Sequence, residues 1–405
     1  MTVTHEPSLD QIDLLDSARF AEGVPWEWFE LLRREAPVLW HDEPDGPGFW
    51  AVTRYDDVST INRDHRVFSS AVGGVMIEDP EPELLVLLAE QMLNMDPPRH
   101  TKLRLLVNKG FTPRMVGQLQ DAIRGQCTRI VNAVIERGEC DFVNDVAAEL
   151  PLQVIAEMLG VPEGDRHQIF EWTNTLVGNQ DPEYAVTLED AMDAGMQMFY
   201  YSAELAQQKR EHPDEGIVSR LLEAEVEGQR LTDGEFNLFF QLLAVAGNET
   251  TRNAISHGMQ TFFDHPDQWQ RLRDDPGLLD LAVDEIVRWA TPVIYFRRTA
   301  TEDTELSGTK IAEGVKVAMY LISANRDRDA FDEPGRFDIG RDPNHHLGFG
   351  AGGPHFCLGA NLARAEIKAM FSEILRRLPD IEPTGPPVRL QSYFINGIKH
   401  LPVAF

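Results

Sequence analysis

The chain has 405 residues, 42% hydrophobic and 25% charged, a globular composition that excludes collagen, low-complexity polymer and wholesale disorder. Lysine plus arginine is 37 against 66 aspartate plus glutamate, a net charge of −29 that repels nucleic acid and anionic membrane and favours solubility. The three cysteines, Cys127, Cys140 and Cys357, make neither a disulfide framework nor a zinc pattern, which points to a reducing cytoplasm. No signal peptide is expected, because the start lacks basic and apolar regions, and no run approaches the ~18 apolar residues of a membrane span.

Residues 37–40 and 49–53 are aromatic and β-branched around a Pro/Gly turn, which predicts a small hairpin-like sheet. Residues 70–95 read as a loop with a short helix. From His100 onward, Leu103, Leu106 and Val107 share a helical face, and Phe111-Thr112-Pro113 ends that helix. Helical patterns recur over 142–159, 166–178, 191–210 and 216–227, with a loop at Asn179-Gln180-Asp181-Pro182. Thr232-x-x-Glu235 is a capping box, and the helix it opens extends to Phe263, about 48 Å at ~1.5 Å per residue. Residues 315–319 alternate like a strand, 361–378 form a last strong helix, and 389–405 read as strands and turns. Helices with sheet confined to small pieces predict a mainly α fold of the segregated α+β kind. One large domain is expected over 26–405, preceded by an N-terminal segment, 1–25.

The long helix breaks a local rule. Gly247 is followed by six polar residues, Asn248 to Asn253, between apolar flanks. Six residues exceed one turn and face every direction, which suits poorly a helix buried on both sides. Gly247 costs roughly 1 kcal/mol against alanine, and Thr250 and Thr251 can back-bond to carbonyls and bend the helix. Such a violation points to a functional site. The bland alternative is an amphipathic helix emerging into solvent.

A second constellation runs from Gly348 to Gly359 and contains Phe349, Gly350, Gly353, Pro354, His355 and Cys357. Its G-x-G-x-x-G match is rejected as a dinucleotide fingerprint, since no strand precedes it and Pro354 follows. A glycine-dense loop lets backbone approach closely and aims amides at one atom, here the Cys357 sulfur. Those amides, and the N-terminus of the helix near Gly359, favour a thiolate. The thiolate could attack a carbonyl with His355 as base, or bind a metal; haem supplies four nitrogens itself, so one cysteine would suffice. Cys127 and Cys140 read as inert buried thiols. Glu285-x-x-Arg288 alone reads as an exposed helical ion pair, and the 331–337 segment around Arg336 as a plain loop.

Together and in this order, the pieces resemble the cytochrome P-450 superfamily of haem-thiolate monooxygenases, from about Trp26 to Phe405. The resemblance implies a single triangular helix-rich cytochrome P-450 fold with small β-sheets, and haem b (iron protoporphyrin IX) as cofactor. It makes Cys357 the metal ligand, with Phe349, Gly350 and Gly359 in its loop. Glu249 and Thr250 become the catalytic acid–alcohol pair, and Ala246 and Gly247 lie beside the cofactor, Gly247 letting the helix open where oxygen binds. His100, Arg104, Arg298 and His355 match the cations that meet the haem propionates. Glu285, Arg288 and Arg336 match a buried structural triad.

Phe349 and Cys357 enclose seven residues, where the family usually has six. The same extra residue, with stretches 179–184, 244–253 and 396–399, resembles a bacterial subgroup that oxidises sterol side chains and methyl-branched lipids. The implied reaction is hydroxylation of a terminal methyl carbon. The alternatives are a terpenoid or fatty-acid substrate, or a peroxide-using haem-thiolate enzyme. Expected walls of an apolar pocket are Val72, Val75, Met76, Leu176, Val177, Leu243, Ala246, Val293, Ile294 and Phe394, for each of which core packing is the bland reading. No flavin or nicotinamide motif is found, so a ferredoxin and ferredoxin reductase are the implied electron donors, docking on Lys102, Lys109, Arg114, Arg364 and Lys368. A soluble, cytoplasmic bacterial protein without an integral membrane anchor is expected. The competing classes are a haem sensor, a haem-free cysteine hydrolase and a helical binding module.

Overall fold

The computed structural model describes residues 7–108, 111–178, 180–184, 187–214, 216–225, 228 and 230–405. Helix α1 (Trp26–Glu35) leads into the expected hairpin of β1 (Val38–His41) and β2 (Phe49–Val52), which pairs Trp40 with Trp50. Helix α2 (Tyr55–Arg63) and the short β3 (Phe68–Ser69) follow. Two distant strands, β4 (Tyr295–Ala300) and β5 (Lys316–Tyr320), complete a five-stranded sheet in the order β1-β2-β5-β4-β3. Strand β5 is buried along its whole length, as befits the centre of a sheet.

The helical half is organised around α8 (Asp233–Asp264). Thr232 caps it as the sequence predicts: its hydroxyl accepts from the Glu235 amide, and the Glu235 carboxylate accepts from the Thr232 amide at 3.0 Å. Around α8 pack α5 (Glu149–Met158), α6 (Arg166–Val177), α7 (Leu188–Glu211), α9 (Leu279–Ala290) and α10 (Ala360–Arg377). Their shared core includes Phe240, Ile255, Met259, Phe262 and Phe371. A second core under the sheet holds Phe29, Phe49, Tyr295 and Tyr320, and Ile12, Leu14 and Phe20 from the segment before Trp26 join it.

The sequence reading missed two elements. Helix α3 (Arg99–Val107) ends before the expected stop at 111–113, and Thr112-Pro113 instead opens α4 (Pro113–Ile135), which packs along α10. Thr112 accepts from the Met115 amide, and Pro113 occupies the first turn, where its missing N–H costs nothing. Strand β4 was also unassigned. The helix expected over 216–227 ends at Glu223, and residues 226 and 227 lie outside the described residues. Helix α8 runs unbroken from Asp233 to Asp264, and Thr250 back-bonds as expected, donating to the Ala246 carbonyl at 2.7 Å. Among the described residues, no helix is long and apolar enough to cross a membrane.

Candidate active site

Cys357 lies one turn before α10, and its amide donates to the Phe349 carbonyl at 2.9 Å. Burial pushes its thiol pKa up; the Gly359 amide, the Arg104 and Arg364 charges and the Ala360 amide pull the other way, towards thiolate. Burial pushes Cys127 and Cys140 up to about 12, although Arg137 pulls Cys140 the other way. The glycines before Cys357 also serve packing. Gly353 has φ +78, and a Cβ there would stand 2.8 Å from the Asn62 carbonyl, so the loop seats directly on the end of α2. Arg63 Nε donates to the Ala351 carbonyl at 2.5 Å to hold it there.

Four basic side chains converge beside this loop. The His100 and His355 rings lie 4.2 Å apart. His355 Nε2 meets the Met95 carbonyl at 3.0 Å and Ser70 Oγ at 3.2 Å. Arg104 donates to the Phe356 carbonyl at 2.6 Å, and Arg298 to the Arg297 carbonyl at 2.7 Å. Burial, helped by neighbouring arginine charge, lowers His100 to about 4 and His355 to about 2, and burial takes Arg298 down to about 10. Asp96, the nearby carboxylate, is engaged by Ser69 and Ser70 and neutralises none of them directly. His100 Nδ1 is buried with no partner. Two arginines without a carboxylate partner among the described residues, flanked by two neutral imidazoles that can donate N–H, fit the carboxylate edge of a dianionic cofactor such as haem. No hydrogen bond among the described residues joins His355 to Cys357, so the dyad of a cysteine hydrolase is not formed.

On α8 the polar run turns inward, not to solvent. Asn248, Glu249, Thr251, Arg252 and Asn253 are all buried. Asn248 Nδ2 donates to Thr173 Oγ1 at 3.3 Å and Arg252 to Asn174 Oδ1 at 3.0 Å, both on α6. Asn253 Oδ1 accepts from the Ile398 amide at 3.2 Å. Glu249 pairs with Arg252 through Oε2, while Oε1 has no partner. Burial raises the Glu249 pKa and Arg252 opposes it. Ala246 and Thr250, one turn apart, form a separate face that is exposed at Ala246 and half-buried at Thr250. Gly247 serves close packing: a Cβ would stand 2.6 Å from Ile155 Cδ1, so its bareness admits α5.

Glu285 and Arg288 are fully buried and doubly bonded at 2.7 Å. Arg336 is not the third member expected from the sequence. Its side chain is exposed and pairs with Glu333 at 3.0 Å; only its backbone carbonyl accepts from Arg288. Arg341, five residues on, takes the place and contacts Glu285 Oε2 at 3.2 Å. The loop between them folds so that residue 336 presents its carbonyl inward and its side chain outward.

The expected pocket residues divide. Val72 and Met76 are exposed and half-buried, Val75 is buried, and Leu176, Val177, Val293 and Phe394 are half-buried. Leu243 lies at the border of burial, at 9% exposure, on the turn before Ala246. Ile294 is fully buried in the core under the sheet and presents no surface to a ligand. The stretches 180–184 and 396–399 meet, with Lys399 bonded to Asp181 at 2.9 Å and to Glu183 at 2.5 Å; Asn179 lies outside the described residues. Of the expected docking cations, Arg364 and Lys368 pair with Asp284 and Asp280 of α9, Arg114 is exposed, Lys102 is half-buried, and Lys109 lies outside the described residues.

The chain and its fold are matched by known proteins. The sequence model described as Cytochrome P450 matches residues 85–387. A steroid C26-monooxygenase of Mycolicibacterium smegmatis is 44% identical, covering 97% of this chain and 93% of its own. A methyl-branched lipid omega-hydroxylase of Mycobacterium tuberculosis is 46% identical, covering 93% and 90%. A Mycobacterium marinum cytochrome P450 solved in complex with pseudoionone superposes with a TM-score of 0.92 at 42% identity over 100% of both chains. The chain belongs to the cytochrome P450 family. It is a cytochrome P450 monooxygenase, and its family cofactor is haem with cysteine thiolate ligation.

Proposed function

We propose that the protein hydroxylates a terminal methyl carbon of a sterol side chain or a methyl-branched lipid, with one atom taken from dioxygen. The observation that carries the reading is the similarity, at 44–46% identity along nearly the whole chain, to relatives named for those two reactions. Cys357 would ligate the iron, and His100, Arg104, Arg298 and His355 would hold the propionates. Bound haem supplies dioxygen activation, with one oxygen atom entering the substrate and the other leaving as water. Glu249 stores a proton at Oε1, where burial favours the neutral acid. Thr250 offers a hydroxyl beside it once it releases the Ala246 carbonyl. Val75, Met76, Leu243, Val293 and Phe394 give apolar walls that exclude water and orient the substrate. A ferredoxin, itself reduced by a ferredoxin reductase, delivers electrons from the cysteine side, with Arg114 and Lys102 as docking cations.

The first test reduces the purified protein under carbon monoxide. Thiolate-ligated haem gives a strongly red-shifted Soret band, and Cys357→Ala abolishes it. Titration with cholesterol and with a methyl-branched fatty acid then shifts the spin state, and turnover places the hydroxyl on a terminal methyl. A response to pseudoionone alone would favour the terpenoid alternative, which the Mycobacterium marinum structure supports. Absence of haem absorbance after haem-sufficient expression overturns the assignment of Cys357.

A further inference from the structure

Strand β4 carries two adjacent arginines, and alternation sends them to opposite faces. Arg298 faces the cation cluster described above. Arg297 is buried too, yet its one ion-pair partner among the described residues is Asp79, a half-exposed carboxylate 2.6 Å away. Burying a guanidinium is expensive, so its other contacts say what it is for.

Those contacts are with the backbone of one irregular loop. The Arg297 amide donates to the Val75 carbonyl at 2.8 Å, and its Nη1 donates to the Met76 and Ile77 carbonyls, each at 3.2 Å. Thr299, next on the same face, donates to the Val72 carbonyl at 2.7 Å. Lys316 of β5 donates to the Ile77 carbonyl at 2.9 Å and pairs with Glu43 and Asp79 at 2.5 and 2.8 Å. The loop wraps the guanidinium closely: Gly73 and Gly74 have φ of +73 and +81, and a Cβ at Gly73 would run into Arg297. A segment without a ladder of its own thus has its carbonyls taken by neighbouring strands.

We propose that Arg297 is a positioning residue that fixes the shape of the substrate pocket. It pins residues 72–79, with Thr299 and Lys316 in support, so that Val75 and Met76 hold one orientation towards the bound substrate. The same strand thereby sets the cofactor cluster through Arg298 and the pocket wall through Arg297, linked by the Arg298 bond to the Arg297 carbonyl. The inference rests on the assignment of residues 72–76 to the pocket wall.

The test compares wild-type holoenzyme with Arg297→Lys and Thr299→Val. It measures amide hydrogen exchange over 72–79, the carbon-monoxide Soret band, and Kd for cholesterol and a methyl-branched fatty acid from spin-state titration. Arg297→Lys keeps the Soret band, speeds exchange of this loop about tenfold, raises Kd about tenfold and narrows the preference between the two probes, while kcat at saturation stays within about twofold. Thr299→Val moves exchange and Kd in the same direction by about threefold, and it decides the matter if Arg297→Lys fails to fold. Unchanged exchange in the folded variants, or faster exchange with unchanged Kd, overturns the proposal. If neither probe shifts the wild-type spin state, the substrate assignment fails on its own, and exchange alone then decides whether Arg297 pins the loop.

Discussion

Two Glu–Arg pairs with the same three-residue spacing lie buried in this molecule, and they are finished differently. At Glu285–Arg288 every donor and acceptor is used. Arg288 also donates to the carbonyls of Asn325, Pro334 and Arg336, and Glu285 also accepts from Arg341, Asn344 and the Asp338 amide. At Glu249–Arg252, Glu249 Oε1, Arg252 Nε and the nearby Asn248 Oδ1 and Asn253 Nδ2 have no partner among the described residues. A saturated buried pair behaves as a rivet. An unsaturated one retains an atom that can hold or pass a proton.

The largest expected effect is on the saturated pair. Glu285→Gln leaves Arg288 and Arg341 buried against a neutral amide and should cost on the order of 3–5 kcal/mol in chemical denaturation. A variant as stable as wild type would erase the contrast. Glu249→Gln should instead keep the fold and the Soret band while product formation falls about 100-fold, the lower end expected for losing a general acid. If oxygen consumption continues without product, proton delivery is the step lost. Arg341→Ala should cost about 2 kcal/mol as a charged hydrogen-bond partner disappears, whereas Arg336→Ala should stay within about 0.5 kcal/mol. The reverse order would restore the triad expected from the sequence.

The smallest effect is a pH slope. Glu249 has a raised pKa in the folded protein, so between the unfolded value, roughly 4.3, and the folded one the native state binds more protons. Stability should therefore fall as pH rises through that window, and Glu249→Gln should lose this part of the slope. Denaturation of both proteins across pH 4 to 8, a range of about four units around that window, measures the difference.

The positions legible in the sequence are those whose cause lies within a few residues. The Thr232 capping box and the glycine loop ending in Cys357 are local chemistry, and both stand where the sequence puts them. The polar break at Asn248–Asn253 was recognisable as anomalous, but its partners on α6 and at Ile398 were not, since they are distant in the chain. Thr112-Pro113 is a start signal, and reading it as a stop concealed α4. Arg297 carried no motif; an arginine preceding a strand threonine two residues on is unremarkable until a loop folds over it.

By itself, then, the sequence determined the helix-rich class, the limits of the long helix, the glycine-dense loop around Cys357 and the polar break at Asn248–Asn253, because caps, periodicity and glycine conformations act over one or two turns. Only the tertiary structure decided that Arg341 and not Arg336 completes the Glu285 site, that Gly247 admits Ile155, that Ile294 is core, and that Arg297 bonds the Met76 and Ile77 carbonyls. Each of those depends on how distant segments cross, and burial makes the outcome decisive: a charge enclosed far from water must find its partners wherever the packed chain has placed them.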